Sequence, residues 1–166
     1  MSTNEQPPKP TLAEVLADPV SQGLLHSPLL CRLAYSAADG SPRVVPIGYL
    51  WRDGAFVICT LPNAPKTRAL RRDPRVALTV DRDAMPPTIL LVRGTASVEV
   101  VDGLPPEYLE ASHKAVPDEQ FPAFEAQVRG LYKQMARITT QPTWAKLIDF
   151  QRTLPQAVEE AMRAQS

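Results

Sequence analysis

The sequence predicts an α+β fold in which a six-stranded antiparallel β-barrel is flanked by helices. Two consecutive strand-like segments are each joined to the next by a turn that ends in Asp-Gly, at residues 38–40 and 52–54, which indicates antiparallel neighbours in a meander. A long apolar run follows at 88–101, and Gly94 interrupts it where a barrel strand would bulge or bend. Residues 104–134 then change to helical periodicity, which supplies flanking helices.

The composition is that of an ordinary globular chain of one domain. Its 166 residues are 44% hydrophobic and 22% charged, which is enough to bury a substantial core. Eighteen lysines and arginines balance eighteen acids, so binding of nucleic acid or of an anionic membrane through net charge is not expected. An electrostatic function must therefore come from a local cluster.

Cysteine and histidine are too sparse to predict a metal site or a disulfide framework. Cys31 and Cys59 lack CxxC spacing, and the two histidines are His26 and His113. Reduced, mostly buried cysteines, no basic-then-apolar leader and no apolar run of membrane length predict a cytoplasmic protein. The sequence also offers no pair of side chains typical of acid–base or nucleophilic catalysis, so we expect no catalytic side chain.

The elements begin after a polar, proline-rich start. Residues 1–10 are expected to form a disordered leader, and residues 11–166 a single domain. Thr11 and Glu14 have the spacing of a capping box, which predicts a first helix from Thr11 to about Asp18. A further helical turn is predicted near residues 21–25.

Six strands follow, each bounded by turn residues. They are predicted at 29–37, 42–51, 55–60, 75–80, 88–101 and 143–150, and a C-terminal helix begins near Leu154. Within the helical segment 104–134 and just after it, apolar residues recur every three or four positions and predict one buried helix face. That face consists of Phe121, Phe124, Val128, Leu131 and Met135.

A basic cluster at 63–76 opposes the charge preference of the helix that begins in it. The stretch NAPKTRALRRDPRV holds five basic side chains and one acid. Pro65 suits the first helical turn, and Asp73-Pro74 ends the helix. Lys66 and Arg68 therefore lie in the first turn, where each cation costs roughly 0.3–1 kcal/mol against the helix dipole.

A bound anion would reverse that cost, because free N–H groups, the dipole, Lys66 and the Thr67 hydroxyl would converge on it. Asn63 is a candidate N-cap for the same helix. The alternative is a solvated cationic face on a short surface helix, an interpretation that fits Arg71, Arg72 and Arg75. Neither a Walker A loop nor a GxGxxG motif is present, so a P-loop or Rossmann unit is not predicted.

The strand predicted at 42–51 offers a flat surface beside this helix start. Its alternation sends Arg43, Val45, Ile47, Tyr49 and Trp51 to one face and Val44, Pro46, Gly48 and Leu50 to the other. The second face is small at Pro46 and Gly48, so a planar ring could lie against the backbone there. Equally, a barrel core could require small residues at these positions.

These segments together resemble a known family. The stretch DGSPRVVPIGYLWRDGAFVICTLPNAPKTRALRRDPRVALTV, followed by LLVRGTASVEVV, is similar to the pyridoxamine 5′-phosphate oxidase-like family of flavin-binding split barrels. The resemblance runs from about Leu30 to Val101 and, more weakly, to the WAKLIDF segment. The pattern that carries it is strand, turn, strand, a helix start containing lysine, and DPRV at matching intervals.

The resemblance implies a homodimeric split barrel that binds FMN in a groove between its subunits and acts on a small molecule. The strand with Arg43, Val44, Val45, Pro46, Ile47 and Gly48 would lie along the flavin ring and its ribityl chain. Cys59 and Thr60 would contact the cofactor from the next strand, and Lys66 with Thr67 would hold its phosphate. Neither a nucleic acid, a membrane nor a metal is expected as a partner.

Three positions depart from the true pyridoxamine phosphate oxidases of that family. Gly48 stands where they have a lysine, Pro65 where they have an arginine, and Gln151 where they have a C-terminal tryptophan. The resemblance therefore implies a flavin-dependent oxidoreductase that is not a vitamin B6 oxidase.

Two alternatives stay open. Members with a similar lysine-led helix start use the deazaflavin F-420 in reductases, and the same groove holds either ring. The other alternative is a non-catalytic protein. It could be a flavin carrier, a redox sensor, a haem-binding relative with His26 and His113 as the candidate ligands, or a plain structural barrel whose groove is empty.

Overall fold

The computed structural model describes residues 9–152 and 154–164, so most of the leader predicted at 1–10 lies outside the described residues. This part of the chain holds six helices and seven strands. The helices are α1 (Leu12–Ala17), α2 (Pro19–Leu25), α3 (Pro65–Arg72), α4 (Pro106–His113), α5 (Phe121–Leu131) and α6 (Gln156–Arg163). The strands are β1 (Cys31–Ser36), β2 (Pro42–Ile47), β3 (Leu50–Arg52), β4 (Ala55–Thr60), β5 (Arg75–Arg82), β6 (Thr88–Asp102) and β7 (Gln134–Asp149).

All seven strands form one antiparallel sheet in the order β2-β1-β5-β6-β7-β4-β3. The two edge strands, β2 and β3, are consecutive in the chain and are joined by Gly48-Tyr49 alone. Because three Cα–Cα steps of about 3.8 Å span at most about 11 Å, this link holds the two edges close together. The sheet is therefore curled into a barrel that stays split between β2 and β3, which confirms the predicted fold class.

The segment 42–51 was predicted as one strand of a meander, and this prediction is wrong in one respect. Its first half pairs with β1, where Val45 lies opposite Leu33, whereas its second half pairs with β4 at the far edge of the sheet, where Trp51 lies opposite Phe56. The two predicted hairpins exist, but the chain changes edges at Gly48-Tyr49. The sheet consequently has seven strands instead of six.

The bulge predicted at Gly94 is confirmed. The pairing of β6 with β7 shifts register between Arg93 and Gly94. A Cβ atom on Gly94 would lie 2.4 Å from the carbonyl oxygen of Gln141, closer than non-bonded atoms approach. Glycine is therefore required here because the two backbones come together at the bend.

The segment after β6 differs from the prediction at its end. Residues 104–134 contain the two helices α4 and α5, but β7 begins at Gln134, well before the predicted strand start at Thr143. Met135 is consequently a buried strand residue and does not extend the helix face. Leu131 is 63% exposed, whereas Val128 is buried as predicted. The sequence does not reveal this early start of β7, because Met135 continues the helical spacing of the apolar residues before it.

The N-terminal helices close one side of the barrel core. The predicted capping box is present, since the Thr11 side chain accepts from the Glu14 N–H while the Glu14 carboxylate accepts from the Thr11 N–H. Asp18 caps α2 in turn by accepting from the Val20 N–H. The fully buried side chains of the core include Tyr49, Phe56, Leu24, Leu25, Leu33, Ile58, Leu78, Leu90 and Ile138.

Candidate functional site

The outer face of β2 is an exposed apolar surface. Val45 and Ile47 pack against the core, while Val44, Pro46 and Gly48 point the other way and are exposed. Val44 is 65% exposed, which is unusual for a valine within a strand. The predicted alternation is therefore confirmed, and the small residues do not serve the barrel core.

Gly48 has open space in front of it. A Cβ atom built at this position meets no heavy atom within 4 Å, in contrast to Gly94. The folded chain thus does not itself require a glycine at position 48. A flat molecule lying on the backbone of Pro46 and Gly48 would require it.

The end of β4 faces the split. β3 pairs with β4 only from Ala55 to Val57, so Cys59 and Thr60 are paired with β7 on one side and border the gap on the other. Both side chains are half-buried. Burial raises the pKa of the Cys59 thiol to about 12, so this cysteine is a neutral thiol and not a thiolate nucleophile.

Lys66 occupies the first turn of α3, as predicted. Its side chain is half-buried, and desolvation by that burial lowers its pKa. None of the ion pairs among the described residues involves Lys66. The structure therefore places at the helix start a partly desolvated cation that lacks a carboxylate partner.

The cap of α3 differs from the prediction. The N-cap is Ala64, which has no side chain to accept a hydrogen bond, and Asn63 instead accepts from Arg68 through its backbone oxygen at 3.2 Å. Thr67 is fully buried, and its hydroxyl donates to the Leu61 carbonyl at 3.1 Å. Its hydroxyl thus supports the loop before the helix, and a ligand contact through it would have to displace that bond.

Arginines gather beside this helix start. A crevice of about 200 Å³ between α3 and the β1–β2 hairpin is lined by Arg43, Arg68 and Arg72, together with Tyr35, Ala37, Ala38, Pro65 and Ala69. Among the residues that the structure describes, no acid lines this crevice. Arg75 is separate, because it donates two hydrogen bonds to Asp73 and holds the pKa of that carboxyl at about 2.

A larger cavity of about 360 Å³ lies between the β2–β3 link, the end of β4 and the helices α4 and α5. Three predicted site residues, Ile47, Gly48 and Cys59, line it. The remaining lining residues are Pro28, Leu29, Leu30, Tyr49, Tyr108, Ala111, Ser112, Lys114, Ala115, Val116 and Phe124. The segment 104–134 therefore forms one wall of this cavity.

The structure does not bring all the predicted site residues together. Ile47, Gly48 and Cys59 meet in the large cavity, and Arg43 lies in the arginine crevice. Val44 and Pro46 form the open strand face, and Val45 packs inward. Lys66, Thr67 and Thr60 border neither cavity.

Lys114 and Tyr108 are among the lining residues of the large cavity that were not predicted as site residues. Lys114 follows α4 directly, and its Nζ lies 4.2 Å from the centre of the Tyr49 ring. Tyr108 stacks on Phe124 with ring centroids 6.4 Å apart. Helical spacing places Phe124 on the predicted buried face of the helix. No local pattern distinguishes Lys114, because the Tyr49 ring beside it belongs to the distant β2–β3 link.

The described residues contain no cluster of three or more potential metal ligands. His26 is exposed at the end of α2, and His113 lies 2.9 Å from the Asp118 carboxylate and packs on Phe121. Among the described helices, none has the length and hydropathy needed to span a bilayer.

Comparison with solved structures places this architecture among known split barrels. An F420 reductase is 26% identical, with a TM-score of 0.58 over 75% of this chain and 94% of that one. A conserved hypothetical protein of Mycobacterium tuberculosis is 21% identical, with a TM-score of 0.60 over 89% of this chain and 91% of that one. A haem-binding protein of Mycobacterium smegmatis is 18% identical, with a TM-score of 0.55 over 85% and 55%, respectively. The last two likenesses concern the fold alone.

No curated protein matches the chain significantly. The family model described as pyridoxamine 5′-phosphate oxidase matches residues 17–136. This range includes β1–β6, the start of α3 and the helices that wall the large cavity. The chain therefore belongs to the pyridoxamine 5′-phosphate oxidase family.

Proposed function

We propose that the chain is a flavin-dependent oxidoreductase that binds FMN in a groove between two copies of itself. The proposal is carried by the exposed, flat outer face of β2 at Pro46 and Gly48, combined with Lys66 at the start of α3, which is partly desolvated and has no ion-pair partner within the described part of the chain. A phosphorylated planar ring has the matching chemistry, because it combines an apolar face with an anionic end.

The residues present fit such a cofactor. The backbone of Pro46 and Gly48 would support the ring, and Cys59 and Thr60 would border it from the end of β4. The Lys66 ammonium and the positive end of the α3 dipole would hold the phosphate. The arginine crevice of Arg43, Arg68 and Arg72 adds positive potential near α3.

In this proposal the bound flavin supplies the hydride or electron transfer. The chain orients the ring on β2, keeps water from its covered face and neutralises its phosphate. Cys59 takes no part as a nucleophile, because its pKa of about 12 leaves the thiol protonated at neutral pH. With Gly48 and Pro65 in place of the lysine and arginine of true pyridoxamine phosphate oxidases, the proposed substrate is not the vitamin.

The same face supports the proposal of a homodimer. β2 is an edge strand, so its outer backbone groups and the exposed Val44 are available to a second copy. A partner subunit packed there would bury an apolar strand face and enclose the ring from the other side. Sedimentation velocity with and without FMN tests this proposal, and a monomer under both conditions contradicts it.

A second candidate is a reductase that uses the deazaflavin F-420. It is favoured by the 26% identity to an F420 reductase, of which the match covers 94%. The F-420 ring has the same flat shape and its tail is also anionic, so the β2 face and Lys66 would serve it in the same way.

Titration of the apo-protein with FMN and, separately, with F-420 tests both candidates. We expect Lys66→Ala to weaken binding of the preferred cofactor about tenfold, or ~1.4 kcal/mol, because one charged contact to the anion is lost. Arg71→Ala is the matched control, since it removes one exposed positive charge from the same helix.

An equal loss of cofactor affinity in both variants would mean that Lys66 acts only through the net positive charge of the helix and not through a contact with the phosphate. Unchanged affinity in Lys66→Ala contradicts the phosphate role. A Soret band in the purified protein would favour the haem-binding alternative, and binding of neither cofactor would overturn the proposal.

A further inference from the structure

The large cavity contains a buried ammonium group that the folded chain leaves without a hydrogen-bond partner. Lys114 Nζ is sealed from solvent and has no hydrogen-bond partner among the described residues. Its neighbours include the face of the Tyr49 ring, whose centre is 4.2 Å from Nζ, and the Cys31 thiol, which is neutral because burial raises its pKa to about 12. An ammonium group can donate three hydrogen bonds, and a ring face replaces them only in part.

The walls around Lys114 provide little other polarity. Most of the lining is apolar or aromatic, including Leu29, Ile47, Tyr108, Val116 and Phe124. The polar groups nearby are already engaged or neutral. The Tyr49 hydroxyl donates to the Leu24 carbonyl at 3.0 Å, the Ser112 hydroxyl donates to the Tyr108 carbonyl at 2.7 Å, and the Cys59 thiol is protonated.

An unpaired cation in such surroundings is costly, because the charge has lost water and gained no anion. Consistent with this, burial lowers the pKa of Lys114. A carboxylate entering the cavity would restore the missing charge pair in a medium of low polarity, where the attraction is stronger than in water. To contact such a carboxylate, the lysine would rotate about its terminal bonds and move Nζ from the Tyr49 ring into the cavity.

We propose that this cavity binds a small, mostly apolar or aromatic carboxylic acid, with its carboxylate on Lys114 and its apolar body against Tyr108, Val116 and Phe124. At about 360 Å³ the cavity is at the small end of ligand pockets, which span roughly 300–1,000 Å³. Gly48 and Cys59 line the cavity and also border the proposed flavin face, so the acid would lie next to the ring as the substrate. This last placement rests on the proposed function, whereas the binding site itself does not.

Fluorescence titration with 2-naphthoate, in the absence of any cofactor, tests the binding site. We expect the full chain to prefer 2-naphthoate over the neutral 2-naphthamide by at least about tenfold. Lys114→Met should reduce the affinity for the acid about tenfold and leave that for the amide within about twofold, since Met keeps the apolar stem. Lys133→Met is the control for loss of one lysine charge at an exposed position.

Equal affinity for acid and amide in the unaltered chain overturns the proposal, and so does a Lys114→Met variant that keeps its preference for the acid. Circular dichroism of each variant verifies that it is folded. A second titration, with the chain saturated by FMN or F-420, tests the substrate placement. Retained 2-naphthoate binding supports that placement, whereas competition overturns it.

Failure of the two proposals is distinguishable. A chain that binds 2-naphthoate through Lys114 but neither cofactor loses the proposed function and keeps the acid site. A chain that binds a cofactor through Lys66 but shows no preference for the acid loses the acid site alone.

Discussion

The bulge between β6 and β7 and the link between β2 and β3 both contain a glycine, but the fold uses the two glycines differently. At the bulge, a Cβ atom on Gly94 would lie 2.4 Å from the Gln141 carbonyl oxygen, so the protein fills all the space itself. At the link, the space in front of Gly48 is open. One glycine is needed for packing, and the other leaves a surface uncovered.

The charged side chains differ in whether they are paired. Arg137, which lies opposite Cys59 in the β4–β7 ladder, pairs with both Glu99 and Glu107, and Arg152, after β7, pairs with Asp18 and Asp149. Around the split, Lys66 and Lys114 have no carboxylate partner among the described residues. The difference teaches that one half of the barrel, at the bulge, fills its own space, whereas the other half, at the split, leaves open space at Gly48 and two lysines without a carboxylate partner among the described residues.

The largest expected effect is on the half at the bulge. Gly94→Ala should lower the free energy of unfolding by about 3 kcal/mol, because the new methyl group meets backbone that cannot move without breaking the β6–β7 ladder. Urea denaturation measures this change. Gly48→Ala is the matched control and should stay within about 0.5 kcal/mol of the unaltered chain. Similar losses in the two variants would remove the contrast between the regions.

The next effect is on binding at the open half. Gly48→Leu should weaken FMN or F-420 binding about a hundredfold, roughly 2.7 kcal/mol, since a branched side chain would occupy the place of the ring. Its midpoint in urea should change little, because the side chain extends into open space. An unchanged cofactor affinity would show that the ring does not lie on this backbone.

The smallest expected effect is on the stability of the ligand-free chain when the charge of Lys114 is removed. Lys114→Met should raise the free energy of unfolding of the ligand-free chain by roughly 0.5–1 kcal/mol at neutral pH, because it removes a desolvated charge. The pKa of Lys114 is lower in the folded chain than in the unfolded chain, so unfolding takes up a proton between these two values. Stability should therefore rise with pH through that alkaline window, and the variant should lack this part of the rise.

Urea midpoints of both chains between pH 7 and 10.5 provide the measurement. A destabilised Lys114→Met variant would mean that the contact of the ammonium with the Tyr49 ring outweighs its desolvation. Lys114 would then be a residue that stabilises the fold and not one held ready for a ligand.

The contrast between the two halves also decides what could be predicted from sequence. The capping box at Thr11, the bulge at Gly94 and the end of α3 before Asp73-Pro74 follow from neighbouring residues, and each was predicted correctly. Lys66 was identified in the same way, because its conflict with the helix dipole is local. Its role toward a phosphate stays a prediction.

What could not be predicted depends on contacts between distant residues. The alternation in 42–51 continues through Gly48 without a break, so nothing local shows that the chain moves from one edge of the sheet to the other. The early start of β7 is masked because Met135 continues the spacing of α5. Lys114 is an ordinary basic residue in the sequence, and only its burial against Tyr49 distinguishes it.

The short link Gly48-Tyr49 limits how far apart β2 and β3 can lie at the split. β2 and β3 are each hydrogen-bonded on their other side, to β1 and β4, so neither ladder constrains the distance across the gap. One residue inserted between Gly48 and Tyr49 would let the two edges separate by up to about 3.5 Å with both ladders intact. Lengthening this link, rather than changing a side chain, is thus the way to widen the split so that it could bind larger ligands.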